Sequence, residues 1–392
     1  MDALIAALRN ERFRRWAVQA LVLAGLLAAL GCLALTAHHN LVTQGIASGF
    51  GFLERSTGWD IPFALLDYSI RDPYWKVLLI GFLNTLFVGS LGIGIATVFG
   101  TFIGIARVSQ NFVLNLFGTV YVELFRNVPL ILQGFFWYAV ATHLPPPRQA
   151  YSIGESFYLT SRGLYAPWLN LGWTGAIVIV LVLLLTIAAI AWLFRTVLAT
   201  AGVGARLACI AALFTVAFAA LWLAHGVAEP GVPLMEYPVL RGLRFVGGIR
   251  VIPELSALTL AIIFFGSAYI AEIVRGGFLG VPRGQLEAAA ALGLRPGQIY
   301  WTVCIPLALR AIVPPLSNQY VWLMKATTIG IAIGFSDLFM ITSTSINQSG
   351  QTIELLLIMM VGFLVINYTI STLLNILNRT IALKGYESSH SA

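Results

Sequence analysis

The sequence predicts an all-α, polytopic membrane protein with about eight transmembrane helices. Of its 392 residues, 59% are apolar and only 10% are charged, whereas soluble domains carry roughly 25% charged residues. So little charge cannot cover a water-soluble body of this length, which excludes a cytosolic enzyme, a secreted domain and a disordered chain. The net charge of +7 is typical of a membrane protein that keeps Lys and Arg on its cytoplasmic side. Nucleic-acid binding would need a basic patch interleaved with polar groups and is not expected.

Eight apolar runs are each long enough to cross the hydrocarbon layer of roughly 30 Å as a helix. They cover about residues 16–37, 77–106, 117–143, 173–194, 207–227, 253–274, 311–335 and 353–377. The seventh is the least typical, because it contains Pro314, Pro315 and Lys325. The first follows several arginines and is longer than the apolar core of a signal peptide, so we interpret it as an uncleaved anchor. A cleaved signal peptide is the alternative.

The distribution of basic residues predicts the orientation of these spans. With both termini in the cytoplasm, most Lys and Arg residues fall on inner segments, as the positive-inside rule requires. That orientation needs an even number of spans. The long outer segments 38–76 and 144–172 are rich in Gly, Pro and Trp, and we expect partly ordered loops or surface helices there.

The sequence contains no catalytic or metal-binding constellation. No histidine is spaced from another His, Cys or carboxylate as metal ligands are. None of the lysines, Lys76, Lys325 and Lys384, has the surroundings of a nucleotide-binding loop. We therefore expect no catalytic residue, metal or cofactor in this chain. Uphill transport would use an ion gradient or the ATP of a partner subunit.

One inner segment, about residues 276–310, carries a specific motif. Its letters are Glu287, Ala288 and Ala289, then Gly293 after three residues, and, beyond a further nine, Val303, Cys304, Ile305 and Pro306. Residues 287–292 have high helix propensity, and Gly293 can end a helix in the left-handed conformation. Pro296 keeps that helix from continuing. An ordinary amphipathic connecting helix is the alternative interpretation.

This spacing resembles the EAA motif of bacterial ABC importer permeases, from which Val303 and Ile305 are conservative departures. In that family the segment is the coupling helix, which docks into a cleft of the ATPase subunit. The resemblance therefore implies that ATP and Mg²⁺ are bound by partner ATPase subunits and not by this chain.

Four more segments resemble the branch that imports polar amino acids, the histidine, glutamate, glutamine, arginine and opine permeases. They are GFLNTL at 81–86, YVELFRNVPL at 121–130, SAYIAEIVRGG at 267–277 and KATT at 325–328. Asn127 and Val128 stand where the family has Gly and Thr, and Ala326 stands where it has Asp. The segment NLVTQGIASGFGFL at 40–53 and the length of the chain also make it similar to one of the permease subunits of general L-amino-acid importers.

The resemblance implies a type I ABC importer permease (MetI-like) core at 77–379. An anchor helix and periplasmic segment (1–76) precede this core, a cytoplasmic tail (380–392) follows it, and a helix pair is inserted at about 144–252. The usual amino-acid permease has five spans and an outer N-terminus. One added leading span and one inserted pair therefore keep the coupling segment cytoplasmic and place both termini inside.

The same resemblance implies the partners and the location. The partners are ABC ATPase subunits, a second related permease in a heterodimer, a periplasmic amino-acid-binding protein, an L-amino-acid substrate and the lipid of the bacterial inner membrane. An opine or another small zwitterion is the alternative solute, and a gradient-driven transporter is the alternative class.

Polar residues at membrane depth are candidates for the substrate pathway, because they are costly there and often functional. They are Asn84, Thr85, Arg126, Pro129, Glu272, Arg275, Lys325, Thr327 and Thr328. Glu272 would attract the ammonium group of an amino acid, or it pairs with Arg275 three residues along its helix. Arg126 could grip a substrate carboxylate or anchor its helix at the interface. Asn84 and Thr85 could equally hold helices together, and Pro129 kinks a helix or marks its first turn.

Overall fold

A computed structural model of the chain describes residues 11–43, 49–154, 156–169 and 235–381, together with isolated residues between 170 and 234. The chain divides into two compact units, Met1–Asn127 with Ile262–Ala392, and Val128–Ala261. The described helices are α1 (Glu11–Thr43), α2 (Tyr74–Val108), α3 (Phe112–Asn127), α4 (Leu130–Thr142), α5 (Pro253–Leu279), α6 (Arg283–Ala291), α7 (Pro296–Ile299), α8 (Ile305–Ala326), α9 (Leu338–Ser349) and α10 (Thr352–Ile381).

Five of the described helical stretches are long and apolar enough to cross a bilayer. They are Arg14–Leu33, Tyr74–Val108, Pro253–Leu279, Pro296–Ile333 and Thr352–Ile376. These stretches coincide with the first, second, sixth, seventh and eighth predicted spans, which are thereby confirmed as helices. The fourth and fifth predicted spans, 173–194 and 207–227, lie outside the described residues.

The predicted span 117–143 consists of two helices, and Pro129, which was predicted to kink a helix or to mark its first turn, lies at the break. Helix α3 ends at Asn127 and the separate helix α4 begins at Leu130. The break is at Pro129, whose φ of −53° and ψ of 137° are extended and not helical. A proline ring also disfavours the helical conformation of the residue before it, here Val128.

The prediction of an all-α fold is wrong in one place, although the chain is mostly helical. Residues 151–169 of the outer segment 144–172, which was expected to be a loop or surface helix, instead form short strands together with residues 235–251. The strands are β1 (Tyr151–Ile153), β2 (Phe157–Thr160), β3 (Gly163–Ala166), β4 (Trp168–Leu169), β5 (Met235–Glu236), β6 (Val239–Arg241), β7 (Arg244–Val246) and β8 (Ile249–Val251). Aromatic and β-branched residues around short Gly-containing turns favour strands over helices here.

These strands form one sheet and two ladders in the second unit. The sheet has the order β1-β2-β3-β8, and β4 pairs with β5 and β6 with β7. Every pair is antiparallel. Because β4 precedes residues 170–234 and β5 follows them, this stretch of chain starts and ends at adjacent points.

A stripe of glycines on α2 sets how closely α5 packs against it within the first unit. A Cβ atom added at Gly92, Gly100 or Gly104 would lie 2.7 Å from a side-chain atom of Ile262, Ile270 or Val274, respectively. Such an approach is too close for any side chain larger than hydrogen. Glycine at these positions therefore allows tight helix packing, as small residues do in membrane proteins.

A second surface of α2 holds the chain segment that leads into α9. Asn84 Nδ2 donates hydrogen bonds to the carbonyl oxygens of Ser336 (2.7 Å) and Phe63 (3.0 Å). Thr85 Oγ1 accepts from the amide of Leu338 at 3.0 Å. Both side chains are fully buried. Asn84 and Thr85 therefore fix the register between α2 and residues 336–338.

Asp337 caps the N-terminus of α9 from this buried position. Its side chain accepts a hydrogen bond from the amide of Met340 at 2.8 Å, while its Oδ2 has no hydrogen-bond partner among the described residues. The residue lies between the last two spans and is fully buried. Burial raises the pKa of the Asp337 carboxyl from its ordinary value of 3.8 to about 7.

We expect Asp337→Asn to raise the thermal midpoint of the detergent-solubilised protein more at pH 8 than at pH 5. Because the folded-state pKa exceeds the unfolded one, the folded state loses stability as the pH rises from 3.8 towards about 7 and no further above that. Asparagine caps helices as well as aspartate and carries no charge. Asp60→Asn, which removes an exposed carboxylate, is the matched control. An equal gain at both pH values would contradict this explanation.

Candidate functional site

Three arginines from three helices surround one carboxylate, that of Glu272 on α5. Arg275 lies one turn further along the same helix, Arg107 is in the last turn of α2, and Arg126 is in the last turn of α3. All four residues belong to the first unit. The sequence predicted a Glu272–Arg275 contact as one alternative, and that contact is present.

The contacts in this arginine cluster, Glu272 with Arg107, Arg126 and Arg275, are unequal. Arg275 Nε donates to Glu272 Oε1 at 3.2 Å and to Oε2 at 3.3 Å, and the Arg275 Nη2 also contacts Oε1. Arg107 Nη1 donates to Oε2. Arg126 Nη1 stands further off, 3.9 Å from Oε2. The side chain of Arg107 is 9% exposed and that of Arg126 38%, so Arg126 is the more accessible and the less firmly paired of the two.

The cluster carries a net positive charge, because three guanidinium groups face one carboxylate. Glu272 is engaged on both oxygens, so its negative charge is already balanced. Arg126 is the arginine furthest from Glu272, at 3.9 Å. Its guanidinium is therefore the one that is best able to bind another anion. A bidentate guanidinium–carboxylate pair is among the strongest neutral-pH contacts a small acid can make.

Arg126 also lines a cavity of about 480 Å³ between α5 and α8. The other lining residues are Tyr269, Glu272, Ile273, Pro315, Asn318, Gln319 and Trp322. The guanidinium carbon of Arg126 lies 5.1 Å from the centre of the Tyr269 ring, a cation–π distance that fixes the orientation of the guanidinium. The volume suits a small organic solute.

An aromatic wall and an amide complete this cavity. The Trp322 ring stacks on Phe265 at 5.3 Å and on Tyr269 at 6.4 Å between ring centres. Gln319 Nε2 is buried and has no hydrogen-bond partner among the described residues. The cavity therefore joins a cationic end to an apolar wall and an unused amide donor, an arrangement that suits a small acid with an organic side chain.

The other predicted pathway residues are not among those that line this cavity. Asn84 and Thr85 are buried against residues 336–338, as described above. Pro129 precedes the first turn of α4. Lys325 is exposed at the end of α8. Thr327 and Thr328 donate hydrogen bonds back to the carbonyls of Met324 and Lys325 at 2.8 and 2.9 Å.

Arg107, Tyr269, Asn318, Gln319 and Trp322 were missed as site residues by the sequence analysis. Tyr269 lies one turn before Glu272, and Gln319 and Trp322 are three residues apart, so each pair shares a helix face. This helical spacing is the sequence feature from which these residues could have been found. The convergence of α2, α3, α5 and α8 on one point is a tertiary feature that the sequence does not display.

The predicted coupling segment forms a compact helix with a well-defined end. Helix α6 begins at Arg283, four residues before the predicted start, and ends at Ala291. Gly293 has φ of +79°. The amides of Gly293 and Leu294 bond back to the carbonyls of Ala290 (2.9 Å) and Ala289 (3.3 Å). This is the left-handed glycine cap that the sequence predicted.

Most of α6 is exposed, and its exposed surface carries both charged residues and alanines. Ala289 is buried, whereas Glu287 and Ala288 are exposed and Leu292 is 82% exposed. The chain then continues through α7 and a π-helical turn, Tyr300–Cys304, to Ile305 and Pro306 in the first turn of α8. The motif thus places a small exposed helix directly between α5 and α8, the two helices that contribute most of the cavity lining.

The chain is similar to transport proteins over nearly its whole length. The family described as "Binding-protein-dependent transport system inner membrane component" matches residues 207–383. YhdX of Escherichia coli, which is named as an amino-acid ABC transporter permease protein, is 42% identical over 381 residues, 95% of each chain.

Two further relatives carry more specific names. The "General L-amino acid transport system permease protein AapQ" of Rhizobium johnstonii is 40% identical over 351 residues, 88% of this chain and 86% of AapQ. The "Glutamate/glutamine/aspartate/asparagine transport system permease protein BztB" of Rhodobacter capsulatus is 34% identical and covers 96% of this chain and 95% of BztB.

Proposed function

Because this chain belongs to the family of binding-protein-dependent inner membrane transport components, the permease subunits of ABC importers, we propose that it translocates polar L-amino acids across the inner membrane. The observation that carries the proposal is the end-to-end relation to permeases named for amino acids, which covers 88% to 96% of the chain. That coverage takes in the leading helix and the insert as well as the coupling segment.

The cavity beside Arg126 supports an amino acid as the solute. Arg126 would bind the α-carboxylate through its guanidinium, held in place by Tyr269 at 5.1 Å. We assign the carboxylate and not the ammonium group to this cluster, because Arg107 and Arg275 already balance Glu272. Gln319 would donate to a polar side chain, and the aromatic wall formed by Phe265, Tyr269 and Trp322 would contact its carbon atoms.

The energy for transport would enter through α6. Glu287 and Ala288 on α6 and Leu292 just after it are exposed, and we propose that this surface docks on an ATPase subunit that binds ATP and Mg²⁺. Pro306 begins the helix α8 that also carries Asn318, roughly 20 Å further along at 1.5 Å per residue. A push on α6 would therefore reach the cavity lining through one continuous helix, and Gly293, Ile305 and Pro306 would fix the geometry of that link.

The orientation of the insert is consistent with cytoplasmic termini. Leu169 pairs with Met235 in the β4–β5 ladder, so the residues that flank the stretch 170–234 are adjacent to each other. An even number of spans in this stretch, as the sequence predicts, would preserve the orientation of everything that follows. We propose that both termini and α6 lie in the cytoplasm, with the strands outside.

The complete importer would contain a second, related permease, two ATPase subunits and an external amino-acid-binding protein. A direct test is to purify the tagged chain with the subunits that accompany it and to measure ATP hydrolysis in nanodiscs. Hydrolysis should rise several-fold when a binding protein loaded with a polar amino acid is added, and not when the unloaded protein is added. Purification without any ATPase would contradict the proposal.

A further inference from the structure

Four arginines converge at one end of the strand region, defined here as the clasp (residues 145–169 and 235–251). Arg162 lies in the β2–β3 turn, Arg250 lies in β8, and Arg241 and Arg244 pair across the β6–β7 turn. Arg250 Nε donates to the carbonyl oxygen of Arg162 at 2.9 Å, and Arg162 Nη1 donates to that of Leu243 at 3.3 Å. These bonds bring both turns and β8 together.

The clasp is strongly basic for a segment predicted to lie outside. Its sequence contains five arginines, the four above and Arg148, and only two acidic residues, Glu155 and Glu236. Among the described residues, no carboxylate forms an ion pair with Arg162, Arg241, Arg244 or Arg250. These arginines are therefore an unneutralised cationic surface on the side where the positive-inside rule does not favour Lys and Arg.

The chain from Ser161 to Leu169, which contains β3 and β4, is paired at both ends with residues that lie next to predicted spans. At its first end, the amide of Ser161 donates to the carbonyl oxygen of Pro145 at 2.9 Å, just after α4, and Leu164 pairs with Val251, just before α5. At the other end, Leu169 pairs with Met235, where the apolar runs 173–194 and 207–227 begin and end. Residues 163–169 span at most roughly 20 Å at 3.3 Å per residue, so the strands bring together segments that lie next to four predicted spans.

The exposed side chains of the clasp are those that favour a membrane surface. Tyr151, Trp168 and Tyr237 are exposed, and Leu243, at the tip of the β6–β7 turn between the arginines, is 61% exposed. Tyr and Trp are enriched at the headgroup level of bilayers. A single guanidinium group can donate two parallel hydrogen bonds to the oxygens of one phosphate. The clasp therefore combines interfacial aromatic residues with a phosphate-binding cluster.

We propose that the clasp lies on the outer surface of the inner membrane and binds the phosphate groups of anionic phospholipids through Arg162, Arg241, Arg244 and Arg250. The inference rests on the proposed membrane orientation but not on the identity of the solute. An acidic surface of the external binding protein is a different kind of occupant, and the test below separates the two.

The test uses the complete complex in detergent, titrated with phosphatidylglycerol and, separately, with phosphatidylcholine, with bound lipid counted by native mass spectrometry. Arg241→Gln/Arg244→Gln should weaken phosphatidylglycerol binding at least threefold and leave phosphatidylcholine binding unchanged. Arg241→Lys/Arg244→Lys should recover part of the loss, which separates loss of charge from disturbed folding. Arg55→Gln/Arg71→Gln removes two exposed outer arginines beyond the clasp and is the matched control, with no expected loss.

Two outcomes would overturn the proposal. Both begin with phosphatidylglycerol binding by Arg241→Gln/Arg244→Gln that equals binding by the wild type. If stimulation of ATP hydrolysis by the loaded binding protein is also unchanged, the cluster binds neither lipid nor that protein, and if the stimulation is weaker, the cluster belongs to a protein partner. In either case, stimulation of ATP hydrolysis by the loaded binding protein in the wild-type complex still supports the proposed transport function. Failure of the lipid proposal is therefore distinguishable from failure of the transport proposal.

Discussion

Amino-acid uptake is expected to fall about tenfold or more when Gly293 is replaced by Val. Gly293 has φ of +79°, a conformation that costs an L-residue about 1–2 kcal/mol and a β-branched residue more. The substituted chain would relieve that strain by unwinding the end of α6, which moves Leu292 and the exposed face. Since about 1.4 kcal/mol corresponds to a tenfold change in an equilibrium, the docked state of α6 should be depleted by at least that factor.

Gly284 offers a matched control within the same helix. A Cβ atom added at either glycine meets nothing within 4 Å, but only Gly293 has a positive φ. Gly284→Val should therefore leave uptake close to that of the wild type. Full uptake by Gly293→Val, with the protein present in the membrane, would contradict a coupling role for the end of α6.

A second variant tests the surface of α6 and not its backbone. Glu287 is exposed, so Glu287→Arg should leave the permease folded while it reverses a charge at the proposed contact. The ATPase subunits should then no longer co-purify in normal amount. Glu123→Arg, which reverses an exposed charge on α3, should leave their recovery unchanged.

Arg126→Gln is expected to weaken amino-acid binding to the purified permease complex by about tenfold to a hundredfold. A hydrogen bond to a charged group contributes about 1.5–3 kcal/mol, and this variant removes the guanidinium from the cavity. Binding is measured directly with radiolabelled amino acid and without the external binding protein, whose own selectivity would mask the effect. Arg126→Lys should restore binding only in part, because an ammonium group lacks the planar fork that matches a carboxylate.

Glu272→Gln distinguishes binding from folding at the same cluster. It leaves Arg107, whose side chain is only 9% exposed, without its carboxylate, and removing one partner of a buried pair is destabilising. The thermal midpoint should therefore fall for Glu272→Gln and stay constant for Arg126→Gln. A large fall for Arg126→Gln instead would mean that Arg126 anchors its helix and does not bind the solute.

Local features of the chain were the most predictable from its sequence. The cap at Gly293 depends only on the backbone freedom of glycine, and the Glu272–Arg275 pair depends only on helical spacing. The close approach at Gly100 and Gly104 follows from small residues four positions apart. Each of these signals lies within a few residues of chain.

Features that depend on tertiary contacts were missed or mistaken. Arg107 reaches Glu272 across 165 positions, and no local pattern marks that partner. Span 117–143 was predicted as one crossing with Pro129 as a kink or a first turn, and only the first-turn alternative agrees with the two helices found there. The four-stranded sheet in the clasp forms because residues 164–166 pair with residues 249–251, more than 80 positions further along the chain, and no local pattern marks that partner.

An amino-acid pathway driven by ATP is tested most directly by uptake of a radiolabelled polar amino acid into proteoliposomes that contain the complete complex, with the loaded binding protein outside and ATP inside. We expect accumulation that requires ATP, survives collapse of ion gradients and is lost in Glu287→Arg. Accumulation by this chain alone, without ATPase subunits and abolished by an ionophore, would contradict it.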